Sequence, residues 1–385
     1  MARPRRFATR PEGLGAPAFD RTALMKATLH KLHRYLSLAL AVLWLTQALT
    51  GLLMVFHWEL DDVFVAGPAR PIDLVGIGRQ VSALNLARPT ETAVALYPTA
   101  GAPDRFDIYV ENPAGETDSI RVNGAGEILL RRPLDHDFTH TGIIQAAAVL
   151  HQSLFAGDRG RILIGLSGIV LLSNLVLGLL LAWPSAKQWL QALMPNKSNR
   201  RGSGIYAWHR ALGLWLSVPA AIFIVAGILL AFDDAIESAL IDESAPAALT
   251  RAPVLQKLKP APVAPELALQ KALNLYAGAT LAGMKMPTRE SPWYRVRVRQ
   301  PDEWRRVFGT TTVYVSAVSG EVLLNENAFD ASPSQRFLDI LYPIHTGEIG
   351  GLAGRVLDFT VALWLLAMLG LGLSLWWTRK QLRKA

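Results

Sequence analysis

Four long stretches that contain no acidic or basic residue constrain this chain more than any other feature. Each is close to the roughly 20 residues that a helix needs to cross the hydrocarbon core of a bilayer. A buried helix of a soluble protein can be equally apolar, but four such runs in 385 residues favour transmembrane helices. The runs occupy residues 35–56, 162–183, 211–232 and 359–378.

Basic residues mark one side of these runs. They precede the first run, lie between the second and third, and follow the fourth, so the positive-inside tendency places these segments and both termini in the cytoplasm. The net charge of +8 is therefore a topology signal, and no nucleic-acid partner is predicted. The first run is longer than the apolar region of a signal peptide and lacks a small-residue cleavage site, so we expect it to remain as an anchor.

Two lobes are predicted outside the membrane. Residues 105–132 alternate in polarity between turn signals, and the segment after residue 267 has helical spacing followed by strand-like runs. We therefore predict an α-helical membrane protein with four transmembrane helices from two parallel repeats and two outer α+β lobes. The predicted order is a cytoplasmic tail (1–29), helix (30–58), lobe (59–157), helix (158–183), cytoplasmic loop (184–204), helix (205–232), lobe (233–355), helix (356–378) and cytoplasmic tail (379–385).

The repeat is visible without gaps in two places. Residues 32–56 superpose on 208–232, and residues 139–160 superpose on 333–354, a match that continues through the next membrane run. Each unit starts and returns inside, so the two units have parallel topology and predict a pseudo-twofold axis along the membrane normal. The paired residues include His33 with His209, Arg34 with Arg210, Gly51 with Gly227, His151 with His345, Arg161 with Arg355 and Gly178 with Gly372.

Only four of the eight histidines recur in the repeat. His33 and His209 begin helices that enter from the cytoplasm, whereas His151 and His345 precede helices that enter from outside. The chain has no cysteine, which excludes iron-sulfur clusters, thiolate metal sites and c-type haem attachment. Two opposed imidazoles suit six-coordinate haem iron, whereas zinc needs a tetrahedral set of four. For any single histidine, a polar anchor at the membrane interface is the alternative.

Four recurring arginines are candidate partners of haem propionates, because a guanidinium fits a carboxylate. Arg34 and Arg210 follow the inner histidines, and their alternative role is a positive-inside charge. Arg161 and Arg355 follow the outer histidines, and lipid phosphate is their alternative partner. His140 offers a second histidine near the outer pair, which leaves the assignment of His151 open.

Several motifs together resemble the PepSY-associated transmembrane family, and within it the FoxB-type ferrisiderophore reductases. They are LHRYLSL and WHRALGL, LHQSLFAGDRGRILIGLSG, IHTGEIGGLAGR and VYVSAVSGEVL. The resemblance implies PepSY-like periplasmic lobes, the inner membrane of a Gram-negative bacterium and two b-type haems held by the four recurring histidines. It further implies a reductase that takes electrons from an unknown cytoplasmic or quinol donor and releases Fe(II) from a ferric siderophore.

Two other functions compete with this reductase. A PepSY-type regulatory or assembly protein would bind an extracytoplasmic partner without redox chemistry, and its histidines would serve packing alone. A transporter is disfavoured because the four apolar runs contain no carboxylate. Substitution of the four recurring histidines would distinguish the reductase from the regulatory protein.

Overall fold

The computed structural model describes residues 21–65, 67–88, 90–134, 138–195, 203–240, 263–303 and 308–383. Most of the predicted tail at 1–29, part of the loop at 184–204 and part of the second lobe therefore lie outside the described residues. The helices are α1 (Arg21–Ala39), α2 (Ala41–Met54), α3 (His57–Phe64), α4 (Leu74–Ala87), α5 (Ile143–Ser153), α6 (Gly157–Ala182), α7 (Trp189–Leu193), α8 (Ser203–Ala231), α9 (Asp233–Leu240), α10 (Pro265–Asn274), α11 (Pro333–His345) and α12 (Gly351–Leu382). The strands are β1 (Thr92–Pro98), β2 (Arg105–Glu111), β3 (Thr117–Asn123), β4 (Ile128–Pro133), β5 (Thr280–Lys285), β6 (Trp293–Arg299), β7 (Thr311–Ser316) and β8 (Val322–Glu326).

Three of the described helices are long and apolar enough to cross a membrane by themselves. They are α6, α8 and α12, the last together with the short turn that precedes it from Glu348. The first predicted helix differs, because α1 and α2 meet at Leu40 with a bend of 64°, and the two are long and apolar enough for a span only when taken together. The structure thus divides the helix predicted over 30–58 in two. The fourth span also begins earlier than predicted, so Arg355 lies inside it together with Asp358, which the predicted helix already contained.

The predicted lobes are two halves of one antiparallel sheet. Its strand order is β4-β3-β2-β1-β5-β6-β7-β8, and β1 and β5 pair at the centre through Ala95 with Lys285 and Leu96 with Met284. The order is symmetric about this seam, as the duplication requires. The α+β character of each lobe was predicted from sequence, whereas the two central strands and the joining of the halves were not.

The two faces of the sheet have different neighbours. Helices α4 and α10 cover one face, where Ile77 and Leu269 pack against strand residues such as Ile108 in the main hydrophobic core. On the opposite face Arg121 of β3 binds Asp61 and Asp62 of α3. Since α3 follows directly on the α2 span, this second face is the one turned towards the membrane helices.

The membrane helices pack across the two units. Helix α6 of the first unit lies against α8 of the second, and α12 of the second lies against α2 of the first. Short helices α5 and α11 precede α6 and α12. Helix α5 contacts α2 and α11 contacts α8, so each short helix lies against the first membrane helix of its own unit.

Candidate functional site

The inner pair joins the first helices of the two units. The ring centroids of His33 on α1 and His209 on α8 are 6.4 Å apart with an angle of 63° between the ring planes. Nδ1 of His33 donates to the backbone carbonyl of Asn174, at 3.1 Å. Because a carbonyl can only accept, this bond places the proton of the neutral ring on Nδ1 and leaves Nε2 of His33 unprotonated. Nδ1 of His209 is buried without a close hydrogen bond, and the backbone carbonyl of Met368, which the repeat pairs with Asn174, is its nearby acceptor.

The outer pair joins the short helices that precede the second spans. The ring centroids of His151 on α5 and His345 on α11 are 6.3 Å apart, and the rings differ by 25° in orientation. Nδ1 of His345 donates to the carbonyl of Phe223 at 3.0 Å. Nδ1 of His151 lies 3.0 Å from the hydroxyl of Thr50, which itself donates to the carbonyl of Thr46. The hydroxyl therefore accepts from His151, whose Nε2 is left unprotonated.

Burial lowers the pKa of both outer histidines, so each imidazole is neutral at physiological pH. For His151 the charge that His345 would carry lowers the pKa further. A neutral ring with an unprotonated Nε2 is the form of histidine that binds a metal. Each histidine of the outer pair can therefore bind a metal through Nε2 without first losing a proton.

Both centroid separations match the distance expected for one metal ion bound between two Nε2 atoms. Two metal–nitrogen distances of about 2.0–2.1 Å and two centroid-to-nitrogen distances of about 1.1 Å add to about 6.3 Å. No hydrogen bond within the described part of the chain uses Nε2 of any of these four histidines. Among the described residues, no three His, Asp or Glu side chains form a metal cluster. The residues present fit haem, whose porphyrin supplies four nitrogens.

Each of the four rings lies against a glycine of its own repeat unit. A Cβ added at Gly227 would come 2.7 Å from Cε1 of His345, and a Cβ at Gly178 would come 3.0 Å from Cε1 of His33. The corresponding distances are 3.1 Å from Gly51 to His151 and 3.6 Å from Gly372 to His209. The glycine positions therefore follow the same duplication as the histidines, and at Gly51, Gly178 and Gly227 the ring occupies space that a Cβ would crowd.

A cavity of about 670 Å³ surrounds the inner pair. This volume lies within the ~300–1,000 Å³ typical of ligand and cofactor sites. Its walls are mainly apolar and include Trp44, Trp364 and Gly178, whereas its mouth is basic. Such a shape suits a flat apolar ligand with an anionic edge. The basic residues at the mouth are Lys31, Arg34, Arg210, Arg379, Lys380 and Arg383.

The arginines near the outer pair have protein partners. Arg355 is buried and donates to both carboxylate oxygens of Glu59 at 2.8 Å and to the carbonyl of Val55 at 2.7 Å. Arg161 forms ion pairs with Asp233 and Asp234. Each contact ties the second span of one unit to the end of the first span of the other. The propionate role predicted for these two arginines stays a prediction, while Arg34 and Arg210 do line the inner cavity.

His140 does not belong to either pair. It is exposed in the turn before α5, whereas His151 lies opposite His345. Thr50 and the partner carbonyls carry no motif and were not predicted from sequence. The contacts of the glycines with the histidine rings were also not predicted, although the pairing of these glycines in the repeat was the available signal.

The geometry agrees with a comparison of the sequence with known families. The family model described as the PepSY-associated TM region matches residues 30–379, which include all four paired histidines. No curated protein matches the chain significantly. The apolar spans and this match together show a multi-pass membrane protein. The chain belongs to the family of the PepSY-associated TM region.

Proposed function

We propose that this protein is a di-haem b-type electron-transfer protein of the bacterial inner membrane and reduces a ferric siderophore in the periplasm. One observation carries the proposal: two histidine pairs, each drawn from both repeat units, have ring separations of 6.4 and 6.3 Å. The rise of about 1.5 Å per residue puts Gly227, which touches His345, about 27 Å along α8 from His209. The pairs therefore stand at opposite ends of the spans.

The side chains around each pair have defined tasks. His33, His209, His151 and His345 hold two b-type haems, which supply one-electron transfer when bound. The acceptors of Nδ1 on α2, α6 and α8 fix the ring orientation and raise the basicity of Nε2, as such outer partners of ligands do. Arg34 and Arg210 at the mouth of the inner cavity pair with propionates.

The chemistry of iron release gives the direction of the reaction. One electron converts a ferric chelate into its ferrous form, and the hard oxygen ligands that suit Fe(III) hold the softer Fe(II) less well. The electron comes from a cytoplasmic or quinol donor on the side of the inner pair. The sheet above the outer pair provides the surface on which a chelate docks.

A visible spectrum tests this function. The purified full-length protein should show a reducible b-type haem spectrum, and the reduced protein should be reoxidised by a ferric siderophore while a ferrous-specific dye traps Fe(II). Absence of the spectrum, or reduced protein that ferric chelates leave unchanged, would refute the reductase. The regulatory alternative predicts that substitution of the paired histidines changes neither haem content nor iron release.

A further inference from the structure

A second, smaller cavity lies on the sheet face turned towards the membrane helices. Its volume is about 140 Å³, and it sits at the seam where β1 pairs with β5. Tyr97 of β1 forms one wall, and Lys285, Arg295 and Arg297 of β5 and β6 form the other. The cavity is thus built from both lobes and lies close to the pseudo-twofold axis.

The register of the strands assigns this face. Leu96, Met284 and Val296 point into the core beneath α4 and α10, so their neighbours Tyr97 and Lys285 point to the opposite side. Just before β7, the chain contacts helices that adjoin the membrane spans. There Phe308 contacts Trp58 of α3 and Tyr342 of α11, with ring centroids 6.0 and 6.3 Å apart. Tyr342 lies one helical turn from His345.

The two halves of this face differ in charge balance. In the first half Arg121 is neutralised by Asp61, Asp62 and Asp107, and Arg132 by Asp61. In the second half neither Lys285 nor Arg295 has a carboxylate partner within the described part of the chain, and both are exposed. Uncompensated cations that line a concave site attract anions and focus their field into it.

Local backbone geometry keeps the cavity open. Gly283 has a φ of 153°, and a Cβ added there would lie 2.5 Å from the Tyr97 ring. Glycine is therefore required for the ring of Tyr97 to lie beside β5 rather than over the cations. Arg297 donates to the carbonyl of Gly309 at 3.1 Å, whereas Lys285 and Arg295 have no bonded partner within the described part of the chain.

We propose that this cavity binds the oxygen atoms of an anionic ferric chelate, with Lys285 and Arg295 as its charged contacts and the Tyr97 hydroxyl as a further donor. The proposal rests on the proposed function, because it names the class of substrate that docks above the outer histidine pair. Ferric chelates with a net negative charge, such as ferric citrate, are the substrates that such a site selects over neutral ones.

Binding of a redox-inert analogue tests the cavity independently of haem. The full-length protein in nanodiscs of zwitterionic lipid is dialysed against gallium(III) citrate, and bound gallium is measured. The variant Lys285→Gln/Arg295→Gln should raise the apparent Kd about tenfold, equivalent to ~1.4 kcal/mol. The control Lys271→Gln/Arg289→Gln removes the same charge from exposed positions outside the cavity and should bind like the unaltered protein.

Reoxidation kinetics supply the second measurement. With ferric citrate the double variant should need about tenfold more chelate for half-maximal reoxidation, at an unchanged limiting rate, whereas a neutral ferric trihydroxamate should react as with the unaltered protein. Equal gallium citrate binding by the double variant and its control overturns the proposal, and so does no binding by the unaltered protein. Loss of co-purified anionic phospholipid with citrate binding intact also overturns it and identifies a lipid-phosphate site. A protein that binds gallium citrate but holds no haem instead contradicts the proposed function alone.

Discussion

The imidazole of His345 lies directly against the backbone of Gly227. A Cβ added at Gly227 would come 2.7 Å from Cε1 of the ring, closer than side-chain atoms pack. The same ring donates to the carbonyl of Phe223, one turn earlier on α8. Helix α8 therefore fixes both the position and the tautomer of His345, while α11 only carries it.

The variant Gly227→Ala should weaken the outer haem site. The new methyl group must displace the ring of His345, and a ligand site tolerates only about 0.5 Å of displacement. We expect the affinity for the outer haem to fall by about tenfold, with haem content dropping from two towards one per chain. The measurement is a haem titration of the purified protein.

Gly370→Ala provides the matched control for this change. Gly370 is also in a membrane helix, but a Cβ added there would meet nothing within 4 Å. This variant should keep its haem content. Equal haem contents in the Gly227 and Gly370 variants would show that the contact with His345 does not position a ligand.

The four glycines predict a graded series of effects. Alanine at Gly178 would place a Cβ 3.0 Å from His33, whereas alanine at Gly372 would place one 3.6 Å from His209, an ordinary contact distance. Gly178→Ala should therefore shift the redox potential and spectrum of the inner haem, and Gly372→Ala should leave both nearly unchanged. A larger effect at Gly372 would contradict the packing that we describe.

Thr50→Val removes the hydroxyl that accepts from Nδ1 of His151 without changing the side-chain shape. The ring loses its fixed orientation, and loss of such an outer partner typically costs about 10–100-fold in metal affinity or activity. We expect the outer haem to dissociate about tenfold faster, as measured by transfer to an apo-haemoprotein. Thr360→Val is the control, because that exposed hydroxyl bonds only to its own helix. Identical dissociation rates would exclude a role for Thr50.

Asp61→Asn should lower the stability of the outer region in a pH-dependent manner. Burial raises the pKa of Asp61, but hydrogen bonds from Arg132 and the charge of Arg121 outweigh it, so the pKa lies below its ordinary value. A depressed pKa in the folded state contributes stability above about pH 4 that is lost as the pH falls further. The variant should lose about 3 kcal/mol at pH 7, and this deficit should shrink on acidification in thermal unfolding experiments.

Asp62→Asn is the comparison for this network. Burial raises the pKa of Asp62 above its ordinary value despite the nearby Arg121. The fold therefore stabilises the carboxylate of Asp62 less than that of Asp61. The loss at neutral pH should therefore be smaller than for Asp61→Asn. A greater loss for the Asp62 variant would reverse the assigned roles of the two carboxylates.

The variant Arg355→Gln tests whether Arg355 links two helices or binds a haem propionate. Removal of the hydrogen bonds to Glu59 and Val55 should cost about 2 kcal/mol of stability and leave the haem content unchanged. Arg161→Gln should cost only ~0–1 kcal/mol, because its ion pairs are more exposed. Loss of haem from the Arg355 variant at unchanged thermal stability would instead support the propionate role.

The duplication explains how much of the site could be predicted from sequence. Pairing His33 with His209 and His151 with His345 requires only the two ungapped matches and the topology, and the structure brings both pairs within contact distance. The hydroxyl of Thr50 could not be found this way, because the repeat places an alanine at the corresponding position. Its role depends on the rotation of α2, which sequence does not give.

Two features of the fold could not be predicted from sequence either: the break in the first membrane segment and the pairing of strands that are distant in the chain. The break at Leu40 falls in an apolar run with no proline or glycine beside it, so no local signal marks it. The pairing of β1 with β5 joins segments far apart in the chain. Each strand is short and apolar, so its sequence does not indicate which strand it pairs with. By contrast, the strand at 105–111 and its neighbours were predicted from alternation and turn residues alone.

Haem counted per polypeptide tests the central claim most directly. The purified unaltered protein should contain two haems per chain, and His33→Ala/His209→Ala should contain one. His33→Ala/His151→Ala, which removes one ligand from each pair, should contain none. A protein without haem, or loss of both haems when only His33 and His209 are replaced, would contradict the assignment of one haem to each cross-repeat pair.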